Sequence, residues 1–280
     1  MKLEIRPKSD SIGAEVVGID LANGMDDGEF DAILDAFHAH HVLVFPGQSL
    51  TQGQQVAFSR RFGELEWHVH REFRGEEFPE LHTLTNLDAD GRPTGIHPGE
   101  GALEWHSDKS YMPRPSMATM LHALEVPSEG GDTYFADLHA AYDALTGEMK
   151  ARIDPLHAVH SWEASRINAG VTLATEEEKA DAPPVTHPLA RTHPASGRKA
   201  IYVGNHASHV EELPLEEGRA LIRELMEFAT GPDFTTSHEW RKGDLVMWDN
   251  RGLLHRASLY DTVNEVRVLH RTVVRGDVPV

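Results

Sequence analysis

Short apolar stretches of strand length, separated by glycine, proline and polar residues, recur along most of the chain. Such stretches predict β-strands, and the apolar-polar alternation near the carboxyl end is typical of antiparallel sheets. The strand candidates are residues 12–21, 41–45, 81–85, 103–110, 118–125, 133–136, 156–162, 185–192, 199–203, 234–240, 244–248 and 266–274. The pattern predicts a mainly β fold, a sandwich or a barrel with helical cover.

Helices are predicted at fewer places. Asp26 or Asp27, Thr51 and Asp137 are suitable N-cap residues, because their side chains can accept hydrogen bonds from the first helical amides. The predicted helices are residues 29–40, a segment from 51 to Gly63, 137–153 and 215–229. The last of these is amphipathic and ends before Gly231 and Pro232.

Two long segments, near residues 64–101 and 163–184, are predicted to be mainly loop. Loops of this length in a compact protein are often functional, so we expect them beside an active site. The run of three glutamates before Lys179 is expected to be solvated. No repeat and no linker divides the sequence, and residues 1–280 are therefore predicted to form a single domain.

Composition excludes several classes of site. The chain has no cysteine, so a metal would have to be bound by histidine and carboxylate. Its 26 basic and 45 acidic residues give a net charge of −19, which argues against nucleic acid or an anionic membrane as partner. No apolar run has the length of a membrane span, and the first residues lack the apolar core of a secretion signal. A cytoplasmic location is the expectation.

The segment Trp105–Asp108 contains a histidine and a carboxylate two residues apart, and His255 lies far downstream. Two imidazoles and one carboxylate form the facial triad that binds non-haem Fe(II) and leaves open positions. If residues 103–110 form a strand, the side chains of His106 and Asp108 point to one face. Spacing alone is weak evidence, because chance gives roughly three such pairs in this composition. The sequence has three, and the others are His70/Glu72 and His209/Glu211.

The predicted strand around residues 267–271 places Arg267, Leu269 and Arg271 on one face. Two guanidiniums that face a sheet interior are costly unless each meets an anion. Arginine is suited to bidentate binding of carboxylates. An internal salt bridge or a surface-facing pair explains this strand equally well when it is considered alone.

Several motifs together resemble the Fe(II)/2-oxoglutarate-dependent taurine dioxygenase (TauD/TfdA) family. They are residues 13–16, 61–63, 106–108, 130–133, 248–255 and the pair Arg267 and Arg271. Residues 205–211 and 243–251 are more similar to the 2,4-dichlorophenoxyacetate dioxygenase branch. One motif alone would be unspecific, whereas their order and spacing cover most of the chain.

This resemblance implies a double-stranded β-helix (jelly roll) with iron inside one end. His106, Asp108 and His255 would bind Fe(II), and Arg267 with Thr133 would bind the distal carboxylate of 2-oxoglutarate. The implied reaction uses O2, decarboxylates 2-oxoglutarate to succinate and CO2, and hydroxylates the prime substrate. Stimulation by ascorbate and a homo-oligomeric state are also expected.

The resemblance also suggests residues that bind an anionic substrate. Arg271 would bind its acidic group, and His68 is aligned with a substrate-binding histidine of the family. His206 and His209 are either pocket residues or hydrogen-bonded structural histidines. Lys109 would bind an acid if it points inward, and the alternative is a surface lysine.

An aryloxyalkanoate such as 2,4-dichlorophenoxyacetate is the expected substrate, with a phenol and glyoxylate or another keto acid as products. Two alternatives remain open. The same chemistry could act on taurine, an alkylsulfonate, a sulfate ester or another carboxylic acid. A non-enzymatic, cupin-like binding protein is the second, although such a protein does not need the Thr133/Arg267 pair.

Overall fold

Strands dominate the structure, a computed structural model that describes residues 3–8, 12–67 and 77–280. The strands are β1 (Glu4–Pro7), β2 (Ala14–Val17), β3 (Val42–Phe45), β4 (His82–Thr85), β5 (Ser116–Glu125), β6 (Thr133–Asp137), β7 (His157–His160), β8 (Val185–Pro188), β9 (Ala190–Thr192), β10 (Lys199–Ile201), β11 (Ala207–Val210), β12 (Thr235–His238), β13 (Leu245–Asp249), β14 (Leu253–Ala257) and β15 (Val268–Arg275).

The helices lie mainly between strands and on their outer faces. They are α1 (Asp27–His40), α2 (Gln52–Arg60), α3 (Leu138–Ala144), α4 (Gly147–Ile153), α5 (Trp162–Ala169), α6 (Glu176–Asp181) and α7 (Leu215–Ala229). Short 3-10 turns occur at Leu21–Asn23, Glu100–Leu103 and Pro232–Phe234. Asp26 and Thr51 cap α1 and α2, as expected from the sequence, and each also forms a capping box with the third helical residue. None of the helices in these described segments is long and apolar enough to cross a bilayer.

Two sheets face each other and enclose one of the apolar cores. Within the described residues the larger sheet has the order β1-β2-β3-β13-β5-β15-β4, and the smaller has the order β12-β6-β14. Phe135 and Leu253 of the smaller sheet pack in one buried cluster with Leu121, Trp248 and Leu269 of the larger. Apolar side chains of both inner faces therefore hold the sheets together, as in other β-sandwiches.

A second layer packs against Ala136 and Leu254 of the smaller sheet. Strands β11-β7-β8 form a sheet of their own, and β9 pairs with β10. Helix α7 buries Leu221, Ile222 and Leu225 in a cluster with Val210 of β11. This layer lies next to His206, which directly precedes β11.

Three expectations about elements were wrong. Residues 103–110 contain a 3-10 turn and an isolated bridge instead of a strand, and the 137–153 helix is divided into α3 and α4. The divide occurs because Leu145 is extended and Thr146 caps α4. The segment 163–184 contains most of α5 and all of α6, which Ser161 and Thr175 cap. Strands β1, β11 and β14 were not predicted.

Candidate active site

A two-residue bridge joins the segments that carry His106 and His255. The His106 amide donates to the His255 carbonyl at 3.0 Å, and the His255 amide donates back at 2.8 Å. His255 is the central residue of β14 and pairs with Phe135 of β6. The backbone thus brings the two imidazoles together, with ring centroids 4.1 Å apart.

Asp108 reaches the same place through a turn. Lys109 has a φ of 53°, in the left-handed region that non-glycine residues rarely adopt. The Met112 amide donates to the Lys109 carbonyl, so local hydrogen bonds close a turn instead of continuing a strand ladder. Asp108 therefore lies beside His106 at a turn of the chain, and not because the two residues share one face of a strand.

One potential ligand atom from each of His106, Asp108 and His255 lies within 4.8 Å of the others. His106 Nε2 is 3.8 Å from Asp108 Oδ1, and His255 Nε2 is 3.8 Å from Asp108 Oδ2. Two nitrogens and a carboxylate oxygen that converge in this way suit a divalent metal such as Fe(II). The structure brings together the three residues that the sequence singled out.

The protonation of both imidazoles fits metal binding. His106 Nδ1 is 2.8 Å from the Glu104 carbonyl, which requires a proton on Nδ1 and leaves a lone pair on Nε2. Burial lowers the pKa of His106 and lowers that of His255 well below its usual range. Both rings are therefore neutral near pH 7, the form in which histidine is a ligand.

Asp108 is ionised although it is buried. Burial raises its pKa, but the Arg271 guanidinium, together with the hydrogen bond from Thr119, outweighs that effect and holds the pKa below its ordinary range. Arg271 Nη2 lies 2.7 Å from Asp108 Oδ1. The carboxylate is thus in its ligand form across the physiological range.

Arg267 and Thr133 offer donors at another part of the cavity. Arg267 is 4% exposed; its Nη2 donates to the Gly131 carbonyl at 3.2 Å, and its Nε has no hydrogen-bond partner. Burial lowers the pKa of Arg267 to about 10, so it stays charged near pH 7. Thr133 Oγ accepts from Trp240 Nε1 at 3.0 Å, which leaves the threonine proton for another acceptor. This donor set fits a carboxylate.

A cavity of about 250 Å³ connects these groups. Its lining includes His106, Asp108, Thr133, His255, Arg267 and Arg271. Leu84, Leu121 and Trp248 supply apolar walls. A carboxylate-binding end, a metal-binding cluster and a second arginine therefore share one enclosed space, the usual form of a small-molecule site.

His206 lies behind the metal cluster. Its ring centroid is 6.3 Å from that of His106, and burial lowers its pKa to about 3. His206 Nδ1 is 3.1 Å from Ser110 Oγ, in the turn that follows Asp108. The structure brings His206 to the metal-binding turn, where its hydrogen bond gives it a structural contact.

Lys109 is turned away from that cavity. Its ammonium is paired with Glu66, whose second oxygen accepts from Ser116 Oγ at 3.1 Å. The left-handed backbone at Lys109 directs the side chain toward this buried carboxylate, 43 positions earlier in the chain. A contact between Lys109 and a substrate acid stays a prediction, and in this structure the ammonium is paired with Glu66.

His209, another predicted substrate residue, does not line the cavity. His209 lies on β11, where its Nδ1 is 2.7 Å from Ser208 Oγ, and it is not among the residues that line the cavity. His68 falls outside the described residues, as does the His70/Glu72 pair.

Sequence reasoning missed two residues that contact the site. Trp240 donates to Thr133, and Thr119 Oγ donates to Asp108 Oδ2 at 2.5 Å. Thr119 is a buried hydroxyl within the largely apolar strand β5. A polar residue in such a strand is a signal, but only the fold shows that the group it meets is Asp108.

A second histidine cluster, His41, His139 and His193, is also compact and buried. It does not suit a metal, because both nitrogens of His193 are in use: Nε2 with Asp249 at 2.9 Å and Nδ1 with two backbone amides. A Cβ on Gly252 would lie 2.2 Å from His139 Nε2, so backbone fills the space in front of that nitrogen. These histidines pack as neutral structural groups.

The model of the taurine catabolism dioxygenase TauD, TfdA family matches residues 4–273. The chain belongs to this family. Two further comparisons show how similar its TauD/TfdA relatives are. The α-ketoglutarate-dependent 2,4-dichlorophenoxyacetate dioxygenase of Cupriavidus pinatubonensis is 41% identical over 285 residues, which cover 99% of each chain. The (S)-phenoxypropionate/α-ketoglutarate dioxygenase of Sphingobium herbicidovorans is 36% identical and covers 98% of this chain and 95% of its own.

A solved structure of the same TauD/TfdA fold extends the comparison. The crystal structure of AAD-2 in complex with Mn(II) and N-oxalylglycine matches with a TM-score of 0.86 and 38% identity, over 100% of this chain and 99% of that one. The predicted fold class, a double-stranded β-helix with helical cover, is confirmed by this match together with the two facing sheets.

Proposed function

We propose that this TauD/TfdA chain is an Fe(II)- and 2-oxoglutarate-dependent dioxygenase that hydroxylates an anionic small molecule, specifically an aryloxyalkanoate such as 2,4-dichlorophenoxyacetate. One observation carries the proposal: the histidine-aspartate cluster and the buried Arg267/Thr133 donors line the same cavity. The family match from residue 4 to residue 273 also supports one catalytic domain.

His106, Asp108 and His255 are proposed to hold the iron. Iron in such a site supplies the activation of O2 with which 2-oxoglutarate is decarboxylated and the substrate oxidised. The protein residues contribute neutral imidazoles, an ionised carboxylate and positions fixed by the β14 bridge. No protein nucleophile is needed.

Arg267 and Thr133 are proposed to bind the distal carboxylate of 2-oxoglutarate. Arg267 brings a buried charge, and Thr133 brings a hydroxyl proton that its bond from Trp240 leaves available. A dicarboxylate bound in this way removes the cost of the buried guanidinium, because charge-assisted hydrogen bonds replace lost hydration. The other end of the co-substrate is then directed toward the metal ligands in the same cavity.

Arg271 is proposed to bind the acidic group of the prime substrate. It lines the cavity and lies beside Asp108, so an anion on Arg271 is held close to the metal cluster. In an aryloxyacetate the carbon next to the carboxylate also bears the ether oxygen. Hydroxylation of that carbon gives a hemiacetal, which breaks into a phenol and glyoxylate. One O2 and one 2-oxoglutarate are consumed, and succinate and CO2 are formed.

The test is turnover with Fe(II), 2-oxoglutarate and ascorbate. We expect 2,4-dichlorophenoxyacetate to give phenol and succinate in equal amounts, and we expect Asp108→Ala to abolish both activity and metal binding. Asp35→Ala, at an exposed position of α1, is the matched control and should remain active.

The substrate panel also includes taurine and an alkyl sulfate. Release of sulfite or sulfate in place of phenol would move the proposal to those substrates. Absence of succinate formation with every acid, in a chain that binds Fe(II), would contradict an enzymatic function.

A further inference from the structure

Asp108 makes a contact that the three-residue metal cluster does not explain. While Arg271 meets Asp108 Oδ1, the hydroxyl of Thr119 lies 2.5 Å from Oδ2. Thr119 is fully buried on β5, directly across from Trp248 of β13. The two carboxylate oxygens therefore have different partners: a cavity-lining cation and a sheet-bound hydroxyl.

The direction of the Thr119 hydrogen bond follows from Asn250. Asn250 Oδ1 faces two groups that can only donate, the Trp248 indole N–H at 3.2 Å and the Asp108 amide at 3.3 Å. Its Nδ2 must then be the atom that points to Thr119, and it donates to Thr119 Oγ at 3.0 Å. Because Thr119 accepts from Asn250, its own proton goes to Asp108.

Asn250 connects the two segments that carry the metal cluster. Its backbone carbonyl accepts from Ser107 Oγ at 2.7 Å, and its backbone N–H donates to the Met117 carbonyl at 2.8 Å. It is fully buried and lies five positions before His255. One side chain thus ties the Ser107–Asp108 turn to β5 and to the start of the β13–β14 connection.

We propose that Thr119, oriented by Asn250, is a positioning residue that fixes the rotation of the Asp108 carboxylate beside His106 and His255. The inference rests on the proposed function, in which Asp108 binds iron. A charge-assisted bond to Oδ2 opposes rotation of the carboxylate. A carboxylate that is already oriented loses less freedom when it binds a metal, so loss of this bond should weaken metal binding.

The test measures Mn(II) affinity, without turnover, in two variants of Thr119. Thr119→Val keeps the shape of the side chain, removes the proton donor and leaves the Asn250 amide without its acceptor. We expect the dissociation constant for Mn(II) to rise by about 10-fold or more, as is usual when a group that orients a metal ligand is lost. Thr119→Ser restores the hydroxyl, and we expect most of the affinity to return.

Thr272→Val is the matched control. Thr272 is a fully buried threonine on the adjacent strand β15, and its hydroxyl lies 2.7 Å from Ser59 Oγ, away from the cavity lining. This variant loses a buried hydroxyl of the same kind and should bind Mn(II) like the native chain. Thermal unfolding without metal shows whether each variant is folded.

Three results would overturn the inference. They are native affinity in Thr119→Val, an equal loss in Thr119→Ser, and an equal loss in Thr272→Val. Failure of the native chain itself to bind Mn(II) would instead overturn the metal site, and with it the proposed function. The two failures are therefore distinguishable.

Discussion

Arg267 shows how a single buried charge defines one end of the cavity. Among the described residues its guanidinium forms no ion pair, and it donates a hydrogen bond to the Gly131 carbonyl. A buried guanidinium that contacts mainly neutral groups is costly to the folded protein unless an anion binds beside it. The rigid fork of arginine suits a carboxylate better than the single ammonium of lysine does.

We therefore expect Arg267→Lys to weaken 2-oxoglutarate binding while leaving metal binding unchanged. Loss of the fork at a buried site should raise the dissociation constant by about 100-fold, on the order of 2.7 kcal/mol. The measurement is the absorption band that forms when 2-oxoglutarate is added to the anaerobic Fe(II) protein, with Mn(II) affinity as the control. Unchanged 2-oxoglutarate affinity would show that its distal carboxylate binds elsewhere.

The residue types of the site could be predicted from the sequence, but their partners could not. His106, Asp108, His255 and Arg267 stand in motifs whose order is specific for the family. Thr119 belongs to none of these motifs, and only the fold shows that its hydroxyl meets Asp108. The partner of Lys109 is hidden for a related reason: Lys109 stands in a left-handed conformation and pairs with Glu66, and neighbouring sequence does not reveal that geometry.

At the scale of elements, predictions of N-cap residues from local signals were correct. The prediction of a loop around residue 176 rested on composition and was wrong. Glu176 and Glu177 are exposed, as expected for solvated charges, but the run to Lys179 lies in helix α6 and not in a loop. Thr175 and Glu178 form a capping box, a signal present in the sequence itself. In contrast, the bridge at His106 depends on β14, a distant partner that no local pattern encodes.

The β13–β14 connection offers a test at this scale. An added Cβ on Gly252 would lie 2.2 Å from His139 Nε2, so Gly252→Ala should move the connection or the ring. We expect a loss of about 1–3 kcal/mol in the free energy of unfolding, the usual cost of an overpacked core. Urea denaturation measures it.

Gly147→Ala is the control, because nothing lies within 4 Å of a Cβ at that position. It should leave the unfolding free energy nearly unchanged. The double variant Gly252→Ala/His139→Ala should recover part of the loss, since the clashing ring is gone. Equal stability of Gly252→Ala and the native chain would mean that the contact relaxes without cost.

At the scale of the whole molecule, the layered β architecture was predictable and the order of the strands was not. Alternating apolar residues indicated sheets, and the family resemblance supplied the jelly roll. Strand β13 lies between β3, about 200 residues earlier in the chain, and β5, about 120 residues earlier. Both pairings are therefore non-local. Strand β14, which carries His255, is equally non-local in its pairing with β6.

The many buried histidines predict how the stability of the molecule depends on pH. Burial lowers the pKa of His41 and of His206 to about 3, and it also lowers the pKa of His139 and His187. In the unfolded chain these groups titrate near their ordinary value of about 6.5. Between the two values the unfolded chain binds protons that the folded chain excludes. The contribution of these histidines to the free energy of unfolding is therefore fully present above about pH 6.5 and is lost as the pH is lowered toward 3.

Each such histidine should lower the free energy of unfolding by about 1.4 kcal/mol for each pH unit below the pKa of the unfolded chain. Urea denaturation at pH 7.5, 6.5 and 5.5 measures the slope. His41→Asn removes one titrating group at a position with a φ of 60°, a conformation that asparagine tolerates. That variant should show a slope smaller by about one proton.

The buried carboxylates Asp108 and Asp249 have pKa values below their ordinary range, so they stay ionised in this window in both states and do not mask the effect. A native stability that is level from pH 7.5 to 5.5 would mean that the buried histidines take up protons in the folded chain, and that the neutral packing described for them is incorrect.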